Sequence, residues 1–260
     1  MKKDNILLKV ITGLVYFILW VPVLVVVIFS FNESKLGVVW KKFTFKWYRT
    51  LLDNSQLHDA LFRSLAVSVV VVIFSCIIGT LGAYGFYKLQ FRFKRMLRIA
   101  ILVPIVLPGV VMGGSLLVYF ERIVHVPLGY FSIVIAQLSW TAPLAVFIIL
   151  GRMQRIDWAW EEAAQDLGAS KIRTFFRITL PLLLPAIGAS ALVIFPWSFD
   201  DFMITYFVAG VGNATLPIYI FSQLRFGATP TINCIGTILM MISITLLLLS
   251  MALENKNKRF

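Results

Sequence analysis

The chain has 260 residues, of which 60% are hydrophobic and only 14% are charged, and its mean hydropathy is +0.89. A water-soluble domain has charges on roughly a quarter of its residues, because polar side chains must cover its surface. This composition excludes an ordinary soluble protein and predicts an integral membrane protein. The net charge of +12 does not indicate nucleic-acid binding, because the basic residues are dispersed over short segments between apolar runs.

Six apolar runs are long enough to cross a bilayer, for which a helix needs roughly 20 residues. They lie near residues 6–31, 61–88, 98–120, 130–150, 182–210 and 231–253. The sequence therefore predicts an all-α integral membrane protein with six transmembrane helices, organised as a single transmembrane domain over residues 1–260.

Proline and glycine residues mark further features of these spans. Proline removes a helical hydrogen bond, so kinks are predicted in the third and fourth spans at Pro104, Pro108 and Pro143. Glycines in the second and third spans fit either close helix packing or ordinary use in membrane helices. These glycines are Gly79, Gly82, Gly85, Gly109, Gly113 and Gly114.

The distribution of basic residues predicts the orientation of the chain. An even number of spans places both termini on one side, and basic loops stay in the cytoplasm. Most Lys and Arg residues fall in the two termini, in residues 88–98 and in the loop at 151–181, so we predict cytoplasmic termini. The external segment at 32–60 is an exception, since it holds Lys35, Lys41, Lys42, Lys46 and Arg49.

The longest hydrophilic stretch, residues 151–181, has the pattern of two short helices joined by a tight turn. Asp157 is placed to cap the first helix and Ser170 to cap the second. Gly168 suits the left-handed position that follows a helix end. One side of the second helix is predicted to carry Ile172, Phe175, Phe176 and Thr179. These local patterns alone favour an ordinary solvated loop over a docking element.

The same loop resembles the EAA motif of bacterial ABC-importer permeases. The matching residues are Glu162, Ala163, Ala164, Gly168 and the run Ile178 to Pro181. The resemblance implies a type I ABC importer permease fold, in which a cytoplasmic coupling helix lies between spans four and five. It also implies that Glu162, Ala163, Ala164 and Gly168 dock onto an ATP-binding subunit.

The resemblance further implies the partners and the location. The partners are a homologous second permease subunit, two ATP-binding subunits, an extracytoplasmic solute-binding protein and the lipids of the bacterial cytoplasmic membrane. The chain has no Gly-x-x-x-x-Gly-Lys-Ser/Thr loop, so ATP and Mg²⁺ are expected on the separate ATPase, with no cofactor on this chain. We predict neither a catalytic set nor a metal site, because His58 and His125 are far apart in sequence.

Shorter stretches resemble the PotC-type subunits of spermidine/putrescine importers. They are Ser30–Phe31–Asn32, Phe43 to Tyr48, Asp166 to Ser170 and Ser198 to Phe202. This resemblance implies inward transport of polyamines. Related permeases for ferric ion, thiamine and other small solutes share parts of these stretches, so another solute is one alternative. A multipass lipid-modifying enzyme is the other, with Asp157, Glu161, Glu162 and Asp166 as its acidic candidates.

Asp200 and Asp201 lie within the fifth apolar run, where an aspartate costs about 2.5–3.5 kcal/mol. Neighbouring helical residues point in different directions, so one acid is expected to line a pathway while the other caps a helix break or meets a basic partner. In the functional interpretation the acids attract polyamine ammonium groups, and Trp197, Phe199 and Tyr206 offer ring faces to them. In the alternative, the acids form structural salt bridges or lie at the external water boundary, and the aromatics simply favour the membrane interface.

Overall fold

The computed structural model describes residues 6–34, 39–225, 227 and 230–257. These residues are largely helical, and their one β-type pairing is an isolated antiparallel bridge between Asn32 and Phe43. The all-α prediction is therefore confirmed. Several basic residues used to predict the orientation lie outside the described residues, namely Lys2, Lys3, Lys35, Lys258 and Arg259.

The helices follow one another with short connections. In chain order they are α1 (Ile6–Ser30), α2 (Lys46–Leu52), α3 (Ser55–Lys88), α4 (Lys94–Ala100), α5 (Val103–Val106), α6 (Gly109–Tyr119), α7 (Tyr130–Met153), α8 (Ala159–Asp166), α9 (Lys171–Thr174), α10 (Leu180–Phe199), α11 (Met203–Val208), α12 (Leu216–Arg225) and α13 (Pro230–Asn257). Two π-helical segments, Phe120–Val124 and Phe175–Thr179, extend α6 and connect α9 to α10.

Four helices are long and apolar enough to cross a membrane, and they match the predicted first, second, fourth and fifth spans. They are Leu8–Ser30 within α1, α3, α7 and the continuous stretch Lys171–Phe199. The bent pair Lys94–Val106 and Gly109–Val124 occupies the predicted third span. At the predicted sixth span the described apolar helix, Pro230–Thr245, is shorter.

The third apolar run is broken at Leu107 and Pro108. The helices on either side of this break are inclined by 104° to each other, and Leu107 has an extended backbone with ψ 137°. Pro108 has no N–H to donate and disfavours a helical residue before it, so the break falls at this point. Pro143, in contrast, lies inside an uninterrupted α7, so no break occurs there and the kink expected at Pro143 stays a prediction.

The fifth apolar run does not continue as one helix from 182 to 210. Helix α10 ends at Phe199, and α11 starts again at Met203. Asp200 is the C-cap of α10, with φ −97° and ψ 6°. Both acids of that run therefore lie in a non-helical link at a helix break, which is one of the alternatives that the sequence left open.

The described residues pack as two compact units, one containing residues up to Leu57 and from Ile220 onward, the other His58–Tyr219. In the first unit, α13 packs against α1 and α2. Two of the stretches that resemble PotC-type subunits also meet there. The indole N–H of Trp47 donates to the Asn32 carbonyl at 2.9 Å, the Ser30 and Tyr48 hydroxyls are 2.7 Å apart, and Phe31 stacks on Phe43. These stretches therefore hold the α1–α2 connection together.

In the second unit, α7 packs against α10, α11 and α5, and α6 packs against α11. Glycine permits close approach of α3 to α7 and of α6 to α11. A methyl group added to Gly79 would overlap the Ala145 side chain and lie 3.0 Å from the Ala145 carbonyl carbon. A methyl group added to Gly113 would lie 2.7 Å from the Phe207 ring and 3.1 Å from the Ile204 Cα. Gly85 and Gly114 have open space at this position, so only some of the predicted glycines serve close packing.

Gly79→Ala is expected to lower the free energy of unfolding by about 1–3 kcal/mol, because the added methyl group forces α3 away from α7. Thermal unfolding of the detergent-purified protein measures this change. Gly85→Ala is the matched control, since it adds the same group to the same helix where no atom lies within 4 Å. Equal stability of the two variants would contradict the α3–α7 contact.

Candidate functional site

The loop at 151–181 folds as two short helices joined by a glycine turn. Gly168 has φ +85°, in the left-handed region, directly after α8. Its N–H donates to the Gln165 carbonyl at 2.9 Å, and the Ala169 N–H donates to the Ala164 carbonyl at 3.0 Å. This pair of bonds is the Schellman arrangement, which satisfies carbonyl groups at a helix end. The predicted turn at Gly168 is confirmed.

The caps of the two helices differ slightly from those predicted. Ser170 caps α9 as expected, since its hydroxyl accepts from the Arg173 N–H at 3.4 Å. Helix α8 starts at Ala159, with Trp158 in the N-cap position. The Asp157 carboxylate accepts from the Ala159 N–H at 3.1 Å, and Asp157 lies one position before the observed N-cap residue.

The predicted face of the second helix is only partly correct. Thr179 is buried and Phe175 is half-buried against the Tyr84 ring, whereas Ile172 and Phe176 are exposed. Phe175–Thr179 is π-helical, and the wider turn changes the directions of the side chains within this segment.

The residues predicted to dock an ATP-binding subunit lie together on the surface of this loop. Glu162, Ala163 and Gly168 are exposed, and Ala164 is half-buried. Ala163 is about 200° around the helix from Glu161, at 3.6 residues per turn, and Glu161 is only 3% exposed. Helix α8 therefore has an inner side at Glu161 and a smooth outer side at Ala163.

Glu161 connects the inner side of α8 to the end of α3 and to the segment that precedes α10. Its carboxylate lies 2.6 Å from the ammonium of Lys88, the last residue of α3. It also accepts a hydrogen bond from the Thr179 hydroxyl. The Lys88 ammonium lies 4.0 Å from the centre of the Trp158 ring, which stacks on Tyr87. From the sequence, Glu161 was named only among the acidic candidates of the alternative enzyme, because its partner Lys88 is distant in the chain.

A second candidate region is an open cavity of about 670 Å³ where the breaks in the third and fifth runs meet. Its walls come from α5, α6, α7 and the α10–α11 link. The lining residues are Pro104, Ile105, Leu107, Gly109, Met112, Trp140, Pro196, Trp197, Asp200, Asp201, Phe202, Met203 and Ile204. Among these described residues two are acidic and none is basic, so the cavity favours positive charge.

The two acids of the cavity have different surroundings. Asp200 is exposed, and within the described residues its carboxylate has no hydrogen-bond or ion-pair partner. Asp201 is half-buried, and its Oδ2 accepts from the Thr205 N–H at 2.9 Å and from the Thr205 hydroxyl at 2.6 Å. Both acids line the cavity, and Asp201 in addition caps the start of α11.

Gln137 on α7 connects both sides of the break in the fifth run. Its Nε2 donates to the Thr205 hydroxyl at 2.9 Å and to the Ser198 carbonyl at 3.3 Å. The Ser198 hydroxyl donates in turn to the side-chain amide oxygen of Gln137, Oε1. The sequence analysis missed Gln137, although a buried amide in an apolar span is itself a signal for a polar network.

The aromatic residues predicted for the pathway separate into two groups. Trp197 lines the cavity, with its ring centre 5.4 Å from that of Trp140. Phe199 and Tyr206 are not among the lining residues; they pack against Phe195 and Phe202. Trp140 was not predicted, and its buried Nε1 has no hydrogen-bond partner among the described residues.

The sequence of the chain matches a known family of membrane proteins. The sequence model of the family described as "Binding-protein-dependent transport system inner membrane component" matches residues 72–257. The chain belongs to this family. Its members are inner-membrane components of transport systems, so the non-enzymatic, membrane-embedded interpretation agrees with the family.

Two curated relatives resemble nearly the whole chain. The spermidine/putrescine transport system permease protein PotC of Haemophilus influenzae is 35% identical, and the match covers 94% of both chains. The putrescine transport system permease protein PotI of Escherichia coli is 36% identical, with 85% of this chain and 81% of the relative covered. The EAA resemblance and the PotC-type resemblance are therefore confirmed.

A solved structure has the same fold. It is a chain of a bacterial alginate ABC transporter in complex with an alginate pentasaccharide-bound periplasmic protein, with a TM-score of 0.72 and 18% identity. The likeness covers 95% of this chain and 93% of that chain. The fold of this family member is therefore that of ABC importer permeases.

Asp201→Ala is expected to lower the free energy of unfolding by about 1 kcal/mol, because α11 loses the acceptor for its first turn. Asp200→Ala is the matched control and is expected to change it by less than about 0.5 kcal/mol, since Asp200 is exposed and unpaired. Thermal or denaturant unfolding in detergent measures both. A larger loss for Asp200→Ala than for Asp201→Ala would contradict the assigned roles.

Proposed function

We propose that this chain is a transmembrane permease subunit of an ATP-driven importer that moves polyamines, such as spermidine and putrescine, into the cell. The observation that carries the substrate class is the cavity with an exposed, unpaired Asp200 and no basic lining residue. The names of the relatives agree with this chemistry, since two of them transport spermidine or putrescine.

A polyamine suits this cavity for electrostatic reasons. An isolated carboxylate in an apolar span is costly, and a passing ammonium group offsets part of that cost. The indole rings of Trp197 and Trp140 line the same cavity and present π-electron density to a cation. Asp201, already engaged by Thr205, adds negative charge without needing to contact the substrate.

The proposed assembly places six spans in the bacterial cytoplasmic membrane, with both termini in the cytoplasm. The bent pair at 94–124 serves as the third span and α13 as the sixth. A homologous permease completes the pathway, two ATP-binding subunits hold ATP and Mg²⁺, and an extracytoplasmic binding protein delivers the polyamine. The exposed face of α8, with Glu162, Ala163, Ala164 and Gly168, docks one ATP-binding subunit.

Docking on α8 depends on a small outer face. Ala163→Trp is expected to weaken the association with the ATP-binding subunit by about tenfold or more, because the indole prevents close approach. The amount of ATP-binding subunit that co-purifies with the permease in detergent measures this. Gln154→Trp is the matched control, because Gln154 is exposed in the same loop but precedes α8. Unchanged co-purification of Ala163→Trp would contradict docking at this face.

The substrate is tested with the complete importer in proteoliposomes and spermidine-loaded binding protein. Asp200→Asn is expected to lower the rate of spermidine uptake about tenfold, because a charge-assisted contact to the ammonium is lost. Glu121→Gln removes an exposed carboxylate elsewhere and is expected to leave uptake unchanged. A different result is that another solute enters the proteoliposomes and stimulates ATP hydrolysis when spermidine and putrescine do neither. That result would support the importer function and contradict the polyamine assignment.

A further inference from the structure

From the contacts of Glu161 we infer that this residue is the positioning residue that links the coupling helix α8 to the cavity, acting through α10. This inference rests on the proposed docking of an ATP-binding subunit on α8. It assigns a transmission role to a residue outside the four predicted docking positions.

The first step is the contrast between two adjacent glutamates. Glu162 is exposed on α8, whereas Glu161 is 3% exposed and faces the membrane-spanning helices. A buried carboxylate persists only when it is paired. Glu161 is paired twice, with the Lys88 ammonium at 2.6 Å and with the Thr179 hydroxyl. Glu161 is therefore unavailable to a docked partner and belongs to the internal framework.

The second step is where these two contacts lead. Thr179 ends the π-helical segment, and α10 starts at the next residue. Helix α10 has 20 residues and so extends about 30 Å. Its far end is followed directly by Asp200, and Trp197 in its last turn lines the cavity. One helix thus connects the Glu161 contact with the proposed substrate site.

The third step concerns α3, which is the fixed support against which α8 moves. Lys88 ends α3, and α3 is held against α7 by the close contact at Gly79. Trp158, just before α8, stacks on Tyr87 with ring centres 4.7 Å apart. Helix α8 is therefore hinged on the end of α3, and the Glu161–Thr179 bond passes its displacement to α10. Loss of the carboxylate leaves the outer docking face in place but disconnects it from α10.

The test uses the importer with both permeases and the ATP-binding subunit, with Cys76 and Cys234 replaced by alanine and a reporter Trp197→Cys. The rate of thiol labelling at residue 197 is compared with and without ATP and vanadate. In the otherwise unchanged chain nucleotide is expected to alter this rate by about tenfold. Glu161→Gln is expected to abolish most of this response while the ATP-binding subunit still co-purifies.

Three further variants separate transmission from folding. Asp157→Asn neutralises an exposed carboxylate of the same loop and keeps its acceptor, so it should retain the response. Lys88→Arg preserves the ion pair and should retain it too. Thr179→Val removes only the hydroxyl contact and should reduce the response as Glu161→Gln does. The labelling rate is normalised to the amount of assembled complex. Reduced folding alone therefore does not change the ratio of the rates with and without nucleotide.

Two results would overturn the inference. A full nucleotide response in Glu161→Gln would mean that α8 reaches the cavity by another route. Loss of the ATP-binding subunit from Glu161→Gln would mean that the residue serves docking rather than transmission. If the subunit fails to co-purify even with the unchanged chain, the proposed docking function itself is wrong, and this inference is rejected with it.

Discussion

The break in the fifth apolar run depends on a buried polar network centred on Gln137. In a bilayer no water is present to satisfy the backbone groups that a broken helix exposes, so protein side chains must do so. Gln137 donates to the Ser198 carbonyl before the break and to the Thr205 hydroxyl after it. Asp201 then accepts from the Thr205 N–H. Because these bonds satisfy the exposed backbone groups, α10 can stop at Phe199 and leave Asp200 facing a cavity inside an apolar bundle.

The same network limits how α10 can move in the proposed transmission from α8 to the cavity. The ends of α10 are held differently: Thr179 at its start bonds to Glu161 in the coupling loop, and Ser198 near its end bonds to Gln137 in α7. A rigid helix held at both ends transmits displacement along its length, while the short link at 200–202 absorbs the change in direction. The non-helical link is thus a joint as well as a source of carboxylates, which accounts for both acids occurring there.

Local rules predicted the coupling loop well, because its structure depends on neighbours in sequence. Gly168 turns the chain and Ser170 caps α9 as their residue types require. The same rules predicted that one of two adjacent acids caps a break, which Asp201 does. They also indicated that prolines disturb the spans, but not that Pro108 breaks a helix while Pro143 lies within one. That outcome depends on neighbouring helices, which can compensate a missing hydrogen bond.

The features that sequence reasoning missed all depend on contacts between distant segments. Glu161 and Lys88 are far apart in the chain, so nothing near Glu161 shows that it is buried rather than exposed like Glu162. The π-helical turn at Phe175–Thr179 shifts the buried side by a fraction of a turn, which a strict 3.6-residue period does not anticipate. Thr179, the last residue of this segment, donates to the Glu161 carboxylate.

The fold alone does not determine which solute enters. A chain with the same fold belongs to a transporter of alginate, whose acidic groups carry the opposite charge to a polyamine. In the polyamine pathway proposed for this chain, the negative charge comes from Asp200 and Asp201 at the break in the fifth run and not from the helices that carry them. Under this proposal the solute is selected by side chains of the 200–202 link, while the proposed docking face on α8 lies outside the cavity lining.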